Sequence, residues 1–254
     1  MTSISPVERV WRYALGVAAL LAIWSALATY YPTVLVPSPL ETAQALAELA
    51  SSGELFRQAG VSLARILVAF GISVLVGGTA GLLVGFRPRW HPLIQPAVSL
   101  AMSAPPISWL VLALVWFGTG SVTPIFTSVV VSAPVVFANV YEGVRALDPD
   151  LLAMARAYGA RGRTLFEDVY LPALTPHLFA GLQVAASLSV RVGIMGELLG
   201  SDAGVGYALA LSRIYLETPR VFAWVLVTVT LLALLEAGLV RTLQRRAEAW
   251  KRAR

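Results

Sequence analysis

Long apolar runs separated by short polar segments dominate this chain. Six stretches are mostly apolar: residues 13–30, 61–86, 93–117, 122–144, 174–199 and 221–243. Each matches the roughly 20 residues that a helix needs to cross a bilayer core. Runs such as LLALLEAGLV (231–240) do not alternate apolar and polar positions, as a membrane β-strand would. Helices are the other way to satisfy every backbone group in lipid. The pattern therefore predicts an all-α integral membrane protein with six transmembrane helices. Between the first two spans, Pro32, Pro37 and Pro39 lead into one or two short amphipathic helices carrying Glu41, Glu48 and Glu54. Residues 200–220 read as a Gly-rich turn and a short helix packed at the same, outer face.

Composition agrees with the pattern. Of 254 residues, 57% are hydrophobic and only 13% charged, with a mean hydropathy of +0.75. A soluble domain carries about 25% charged residues, so soluble and disordered classes are excluded. Residues 1–254 are expected to form a single transmembrane domain. The net charge of +5 acquires a meaning when mapped onto the spans. With the N-terminus inside, 14 of the 19 basic residues fall on cytoplasmic segments and three on outer ones. This positive-inside bias places both termini in the cytoplasm. It also accounts for the basic tail without nucleic acid. Ala26-Leu27-Ala28 is compatible with signal cleavage, but the first span is expected to be retained.

There is no Cys, and His91 and His177 lie far apart at cytoplasmic edges, so no metal site is expected. The spans offer no nucleophile–base pair or paired carboxylates, which argues against an intramembrane enzyme. Other features concern packing or passage. Gly77, Gly81 and Gly85 form a small-residue stripe suited to close helix approach. Ser103-Ala104-Pro105-Pro106 should kink or break the third span. That break is either structural or, with its freed carbonyls, part of a wet path. Asn139 either lines the path or bonds between helices. Gln183, Ser187 and Arg191 share one face of the fifth span. Arg191 either supplies positive charge to an anion path or pairs with Glu197 or backbone carbonyls. Glu197, near the outer end, can gate, pair with Arg191 or cap the following loop. Arg65 is expected to snorkel, with no further role. Trp11, Trp24, Trp90 and Trp109 suit interfacial or core packing.

The cytoplasmic segment between spans four and five, about 148–172, is longer than adjacent helices need. Asp148 or Asp150 can cap a helix, with Pro149 at its first position. Leu151, Leu152 and Ala155 have helical spacing. Gly159 then turns the chain, and Arg161, Arg163, Glu167 and Asp168 form a charged second helix ended by Pro172. Such an element is shaped to dock into a partner.

This loop resembles the signature loop of ABC-importer permeases: Glu-Ala-Ala, three residues, Gly, nine residues, Ile, one residue, Leu-Pro. Here Ala153-Met154-Ala155 precedes Gly159, and nine residues further on come Val169, Tyr170, Leu171 and Pro172. Ala153 stands where the pattern has Glu, leaving that residue's salt-bridge role unfilled. Val36-Pro37-Ser38-Pro39, Pro105-Pro106-Ile107-Ser108-Trp109, Leu114-Val115-Trp116-Phe117-Gly118, Glu197-Leu198 and the Leu243-Gln244-Arg245-Arg246 tail are similar to the nitrate/sulfonate/taurine/bicarbonate-type group.

The resemblance implies a type I ABC-importer permease fold in a bacterial inner membrane. It implies a second copy of the chain, two cytoplasmic ATP-binding cassette subunits and an extracytoplasmic substrate-binding protein. Ala153, Met154, Ala155, Gly159, Arg161, Leu171 and Pro172 would couple to the ATPase. Ser103, Pro105, Pro106, Asn139, Gln183, Ser187, Arg191 and Glu197 are candidates for the translocation path. Relatives carry a basic residue shortly before the proline pair, where this chain has Met102, so Arg191 would supply that charge. A small anionic solute such as a sulfonate, nitrate or taurine is expected. The chain has no Walker A pattern. It should bind no cofactor, with ATP and Mg held by the partner ATPase. The alternative is a channel or secondary transporter working without ATP.

Overall fold

The computed structural model describes the backbone of residues 6–252, with side chains at 8, 11, 12 and 14–238. The Leu243-Gln244-Arg245-Arg246 tail lies outside the described side chains. The described residues are helical with no strand. The elements are α1 (Pro6–Tyr30), α2 (Pro39–Ser51), α3 (Glu54–Phe86), α4 (His91–Ser103), α5 (Pro106–Phe117), α6 (Val122–Arg145), α7 (Pro149–Ala157), α8 (Gly162–Leu165), α9 (Leu171–Gly200), α10 (Val205–Ile214) and α11 (Thr218–Arg252).

Among the described residues, Glu54–Phe86, Val122–Arg145, Gly162–Gly200 and Thr218–Gly238 are long and apolar enough to cross a membrane. The pair α4 and α5 makes a fifth span if it is counted as one, and it is bent by 99°. Six spans require Ala14–Tyr30 as well, which is shorter than these. The bend falls where the sequence places it. Neither Pro105 nor Pro106 has an N–H to give, and Ala104 and Pro105 are extended, with ψ of 134° and 139°. Trp109 Nε1 reaches back to the Ala101 carbonyl at 3.4 Å, so one carbonyl beside the break is not left to lipid.

α6 lies between α3 and α9. Its contact with α3 explains the glycine stripe. A Cβ on Gly81 would lie 2.8 Å from the Phe137 carbonyl oxygen and 2.9 Å from Val140 Cβ. One on Gly85 would lie 2.7 Å from Val144 Cβ. Gly78, one position off the stripe, faces open space. The partner of the stripe is thus within the same chain. On the other side of α6, Gly181 admits Asn139 and Gly196 admits Pro124.

The half of the bundle that holds α2 and α10 has its own core. Ala45 and Leu49 of α2, Ile66 of α3, Val190 and Ile194 of α9, Val205 and Ala208 of α10, and Trp224 of α11 pack together. α2 starts in a reciprocal cap. Ser38 Oγ accepts from the Glu41 N–H at 3.2 Å, and Glu41 accepts from the Ser38 N–H at 2.7 Å. Pro39 occupies the first turn. The Ser38 backbone N–H, and next its hydroxyl, hold the Glu41 carboxyl below its ordinary range. Trp24 of α1 donates to the Pro37 carbonyl at 2.8 Å and stacks on Phe222 of α11.

Candidate functional site

Polar and exposed groups gather at three places on this scaffold. The first is a buried node where α3 meets the α9–α10 turn. Gln58, Ser62 and Arg65 recur at helical spacing on one face of α3, and all three are buried. They grip the turn between α9 and α10. The Gly204 N–H donates to Gln58 Oε1 at 2.7 Å, and the Val205 N–H to Ser62 Oγ at 2.7 Å. Arg65 donates to Glu197 Oε1 at 3.0 Å, to the Ala203 carbonyl at 2.6 Å and, from Nε and Nη2, to Ser121 Oγ at 3.0 and 2.9 Å. Glu197 also accepts from Ser62 Oγ at 2.6 Å and from the Gly206 N–H at 3.1 Å.

Two glycines let the backbone fold over this carboxylate. A Cβ on Gly204 would lie 2.5 Å from either Glu197 oxygen, and one on Gly206 would lie 2.6 Å from Glu197 Cβ. Gly204 also has a φ of +106°, which L side chains rarely adopt. Glu197 is 2% exposed and Arg65 7%. A buried ion pair with its remaining positions hydrogen-bonded is the arrangement that survives desolvation.

Of the roles open to Glu197, the structure shows the cap on the following loop. Its ionic partner is Arg65, not Arg191. The expectation that Arg65 merely snorkels is corrected by its burial and its bonds. Pairing Arg191 with Glu197 fails on helix geometry. Six residues advance an α-helix by about 600°, which leaves the two side chains roughly 120° apart. The Arg65–Glu197 pair joins residues 132 positions apart in the chain, so no local spacing announces it.

The second place is the polar face of α9. Gln183 and Arg191 are exposed and Ser187 is half-buried, so the predicted stripe does share an open face. Arg191 makes no hydrogen bond or ion pair with the described residues. Ser187 Oγ donates to Glu236 Oε1 of α11 at 2.5 Å. Glu236 is half-buried, and the sequence reading passed over it inside the last span. Asn139 is elsewhere. It donates to the Val135 carbonyl at 2.9 Å and fills the space above Gly181, between α6 and α9. Ser103 and Pro105 are exposed at the broken span, and Ser103 Oγ donates to the Ser99 carbonyl at 2.7 Å.

The third place is the loop between α6 and α9. α7 begins at Asp148, whose side chain accepts from the Asp150 N–H at 2.9 Å, with Pro149 in the first turn. It ends at the Gly159 turn, where φ is +85°. Leu151, Met154 and Tyr158 point away from the protein, with exposures of 42%, 53% and 87%. Ala153 and Gly159 are exposed, Ala155 half-buried. Arg161 is extended and precedes α8, and Arg163 pairs with Glu167 at 2.6 Å in water.

Pro172 does not end this segment, contrary to expectation. A π-helical stretch, Phe166–Tyr170, carries the chain straight into α9, and the Leu171 N–H donates to the Phe166 carbonyl. Pro172 lies just past this wider turn, which lets the helix run on without an N–H from the proline.

These features agree with known proteins. The chain is 28% identical over 237 residues to the putative aliphatic sulfonates transport permease protein SsuC of Bacillus subtilis, covering 92% of this chain and 85% of that protein. It is 27% identical to the taurine transport system permease protein TauC of Escherichia coli, covering 96% and 92%. Inward-facing structures of the MetNI methionine ABC transporter share the fold, with a TM-score of 0.63 and 22% identity over 75% of this chain and 95% of that one. An amino acid ABC transporter with histidines aligns with a TM-score of 0.60, at 17% identity over 80% and 97%. The family model for the binding-protein-dependent transport system inner membrane component matches residues 73–248, which hold the broken span, the loop between α6 and α9, and Glu197 with the α9–α10 turn, while Gln58, Ser62 and Arg65 precede them, and the chain belongs to that family of ABC-importer permeases.

Proposed function

We propose that two copies of this chain form the membrane passage of an ATP-driven importer for a small solute with an acidic group. Each copy crosses the bacterial inner membrane six times with both termini inside. Each receives one cytoplasmic ATPase subunit, while a binding protein delivers the solute from outside. The chain itself hydrolyses nothing; ATP and Mg belong to the partner. The sulfonate and taurine permeases among its relatives support an acidic solute, and so does Arg191, open at membrane depth.

The observation that carries this reading is the outward apolar stripe of α7. Leu151, Met154 and Tyr158 recur at i, i+3 and i+7 and are all exposed. They stand on the side of the protein with the basic residues, where no lipid tail covers them. An amphipathic helix with such anchors lies in a partner's groove. Ala153, Met154, Ala155, Gly159, Arg161, Leu171 and Pro172 make up the coupling element around that stripe. Closure of the ATPases would displace α7, and the displacement would pass into α9.

The test is co-purification from native membranes. The wild-type chain should bring an ATPase subunit in equal amount. Met154→Asp places a charge in the stripe and should cut that recovery at least tenfold while the chain stays folded. Recovery equal to wild type would refute docking through α7. Full uptake by the chain without any ATPase would establish the ATP-independent transporter instead.

A further inference from the structure

We infer that the open face shared by α9 and α11 takes a zwitterionic solute, with its acid group on Arg191 and its ammonium on Glu236. The inference rests on the importer reading and narrows the solute within it. Arg191 and Glu236 carry opposite charge within candidate spans. Charged side chains at this depth turn toward protein or a wet cavity rather than lipid. Ser187 lies near the middle of α9 and donates to Glu236 Oε1 at 2.5 Å, which fixes that carboxyl against α9. Arg191 stands one turn further out on the same face, about 6 Å along the helix axis.

The two charges do not close on each other. Among the described residues, no ion pair joins Arg191 to any carboxylate, whereas Arg65 and Glu197 meet at 3.0 Å in the same protein. Opposite charges meant only to hold helices together at low dielectric gain most by direct contact. With Glu236 tied to Ser187 and Arg191 one turn beyond that serine, the shared face carries a positive group at one end and a carboxyl at the other. A short amino acid or aminosulfonate offers one group of the right sign to each end. A plain anion meets Arg191 but is opposed by Glu236, and a plain cation meets the reverse. Discrimination thus comes from a repulsive group as well as an attractive one. Gln183, exposed one turn inward of Ser187, adds neutral donors and an acceptor to the same stripe.

The experiment uses the chain purified with its ATPase subunits. Radiolabelled taurine is the probe, and unlabelled taurine, β-alanine, ethanesulfonate and ethylammonium compete with it. Taurine should bind, with β-alanine within about tenfold of it. The two singly charged compounds should compete at least tenfold less well. Arg191→Gln and Glu236→Gln should each weaken taurine binding tenfold or more, with unchanged assembly and ATPase recovery. Glu236→Asp, which keeps the charge, should restore most of it. If ethanesulfonate competes as well as taurine, or Glu236→Gln binds taurine like wild type, the zwitterion assignment is wrong and the importer reading stands. An assembled complex that binds neither taurine nor β-alanine refutes it too. A chain that arrives without any ATPase overturns the importer reading and this inference together.

Discussion

Glu197 and Arg191 sit six residues apart on one helix and have opposite fates. Glu197 is buried, bonded to Arg65, Ser62 and the Gly206 N–H, and closed over by two glycines. Arg191 is exposed and bonded to none of the described residues. Both are charges in a span, which in isolation makes each a candidate for transport. The contrast separates them. A charge whose bonding capacity is filled by its own protein holds the fold, and one left open is available to something that comes and goes. The node joins α3, α9, α10 and the turn before α6 into one outer block, and the open face adjoins it.

The comparison is broken most directly at the node. Glu197→Ala leaves Arg65 buried without its partner, which costs about 3–5 kcal/mol in a packed interior. It should sharply lower the thermal melting of the purified complex. Arg191→Gln should leave the same melt unchanged. Equal melts for both variants would erase the distinction.

A smaller effect tests whether α3 is clamped as firmly below the node as at it. Gly81→Leu forces a side chain into Phe137 and Val140 and should cost about 1–3 kcal/mol or more, while Gly78→Leu faces open space and should be tolerated. Melting of the two variants side by side decides it. If Gly78→Leu is the worse of the pair, the stripe has been assigned to the wrong face. The mildest change is Ser38→Ala at the start of α2. Loss of this cap should cost about 1 kcal/mol. Proteolysis within 31–40 would report it as local loosening, with the node undisturbed.

What the sequence revealed depended on how far apart the partners lie. The break at Pro105-Pro106 was legible because two consecutive prolines act on their own backbone. The α9 stripe was legible because it is a local periodicity. In α7 the spacing picked out Leu151, Leu152 and Ala155, yet Leu152 and Ala155 are half-buried and the exposed apolar side is Leu151, Met154 and Tyr158. The start of α3 was placed late, at 61 rather than 54. Glu54 was read into a short amphipathic helix between the spans, yet it opens α3, and Gln58 one turn on is a buried acceptor for Gly204. Arg65 looked like a surface cation for the same reason: its partners come from α9, the α9–α10 turn and Ser121. Glu236 escaped notice because one carboxyl in an apolar run has no pattern of its own. Only its bond to Ser187 gives it a context. Pro172 misled because a π-helical stretch upstream removes the need for its missing N–H.

The unbroken passage from α8 through the π-helical stretch into α9 has a mechanical side. Gly162–Gly200 is continuous helix over 39 residues, a rod about 58 Å long at 1.5 Å per residue. One end abuts the loop that carries α7, and the other carries the Glu197 block. A tilt of only about 5° over that length displaces the far end by roughly 5 Å. Under the proposed coupling the rod would act as a crank, with Arg191 and Ser187 riding partway along its arm. The π-helical turn is the place along it where a change of winding can be absorbed without breaking the shaft.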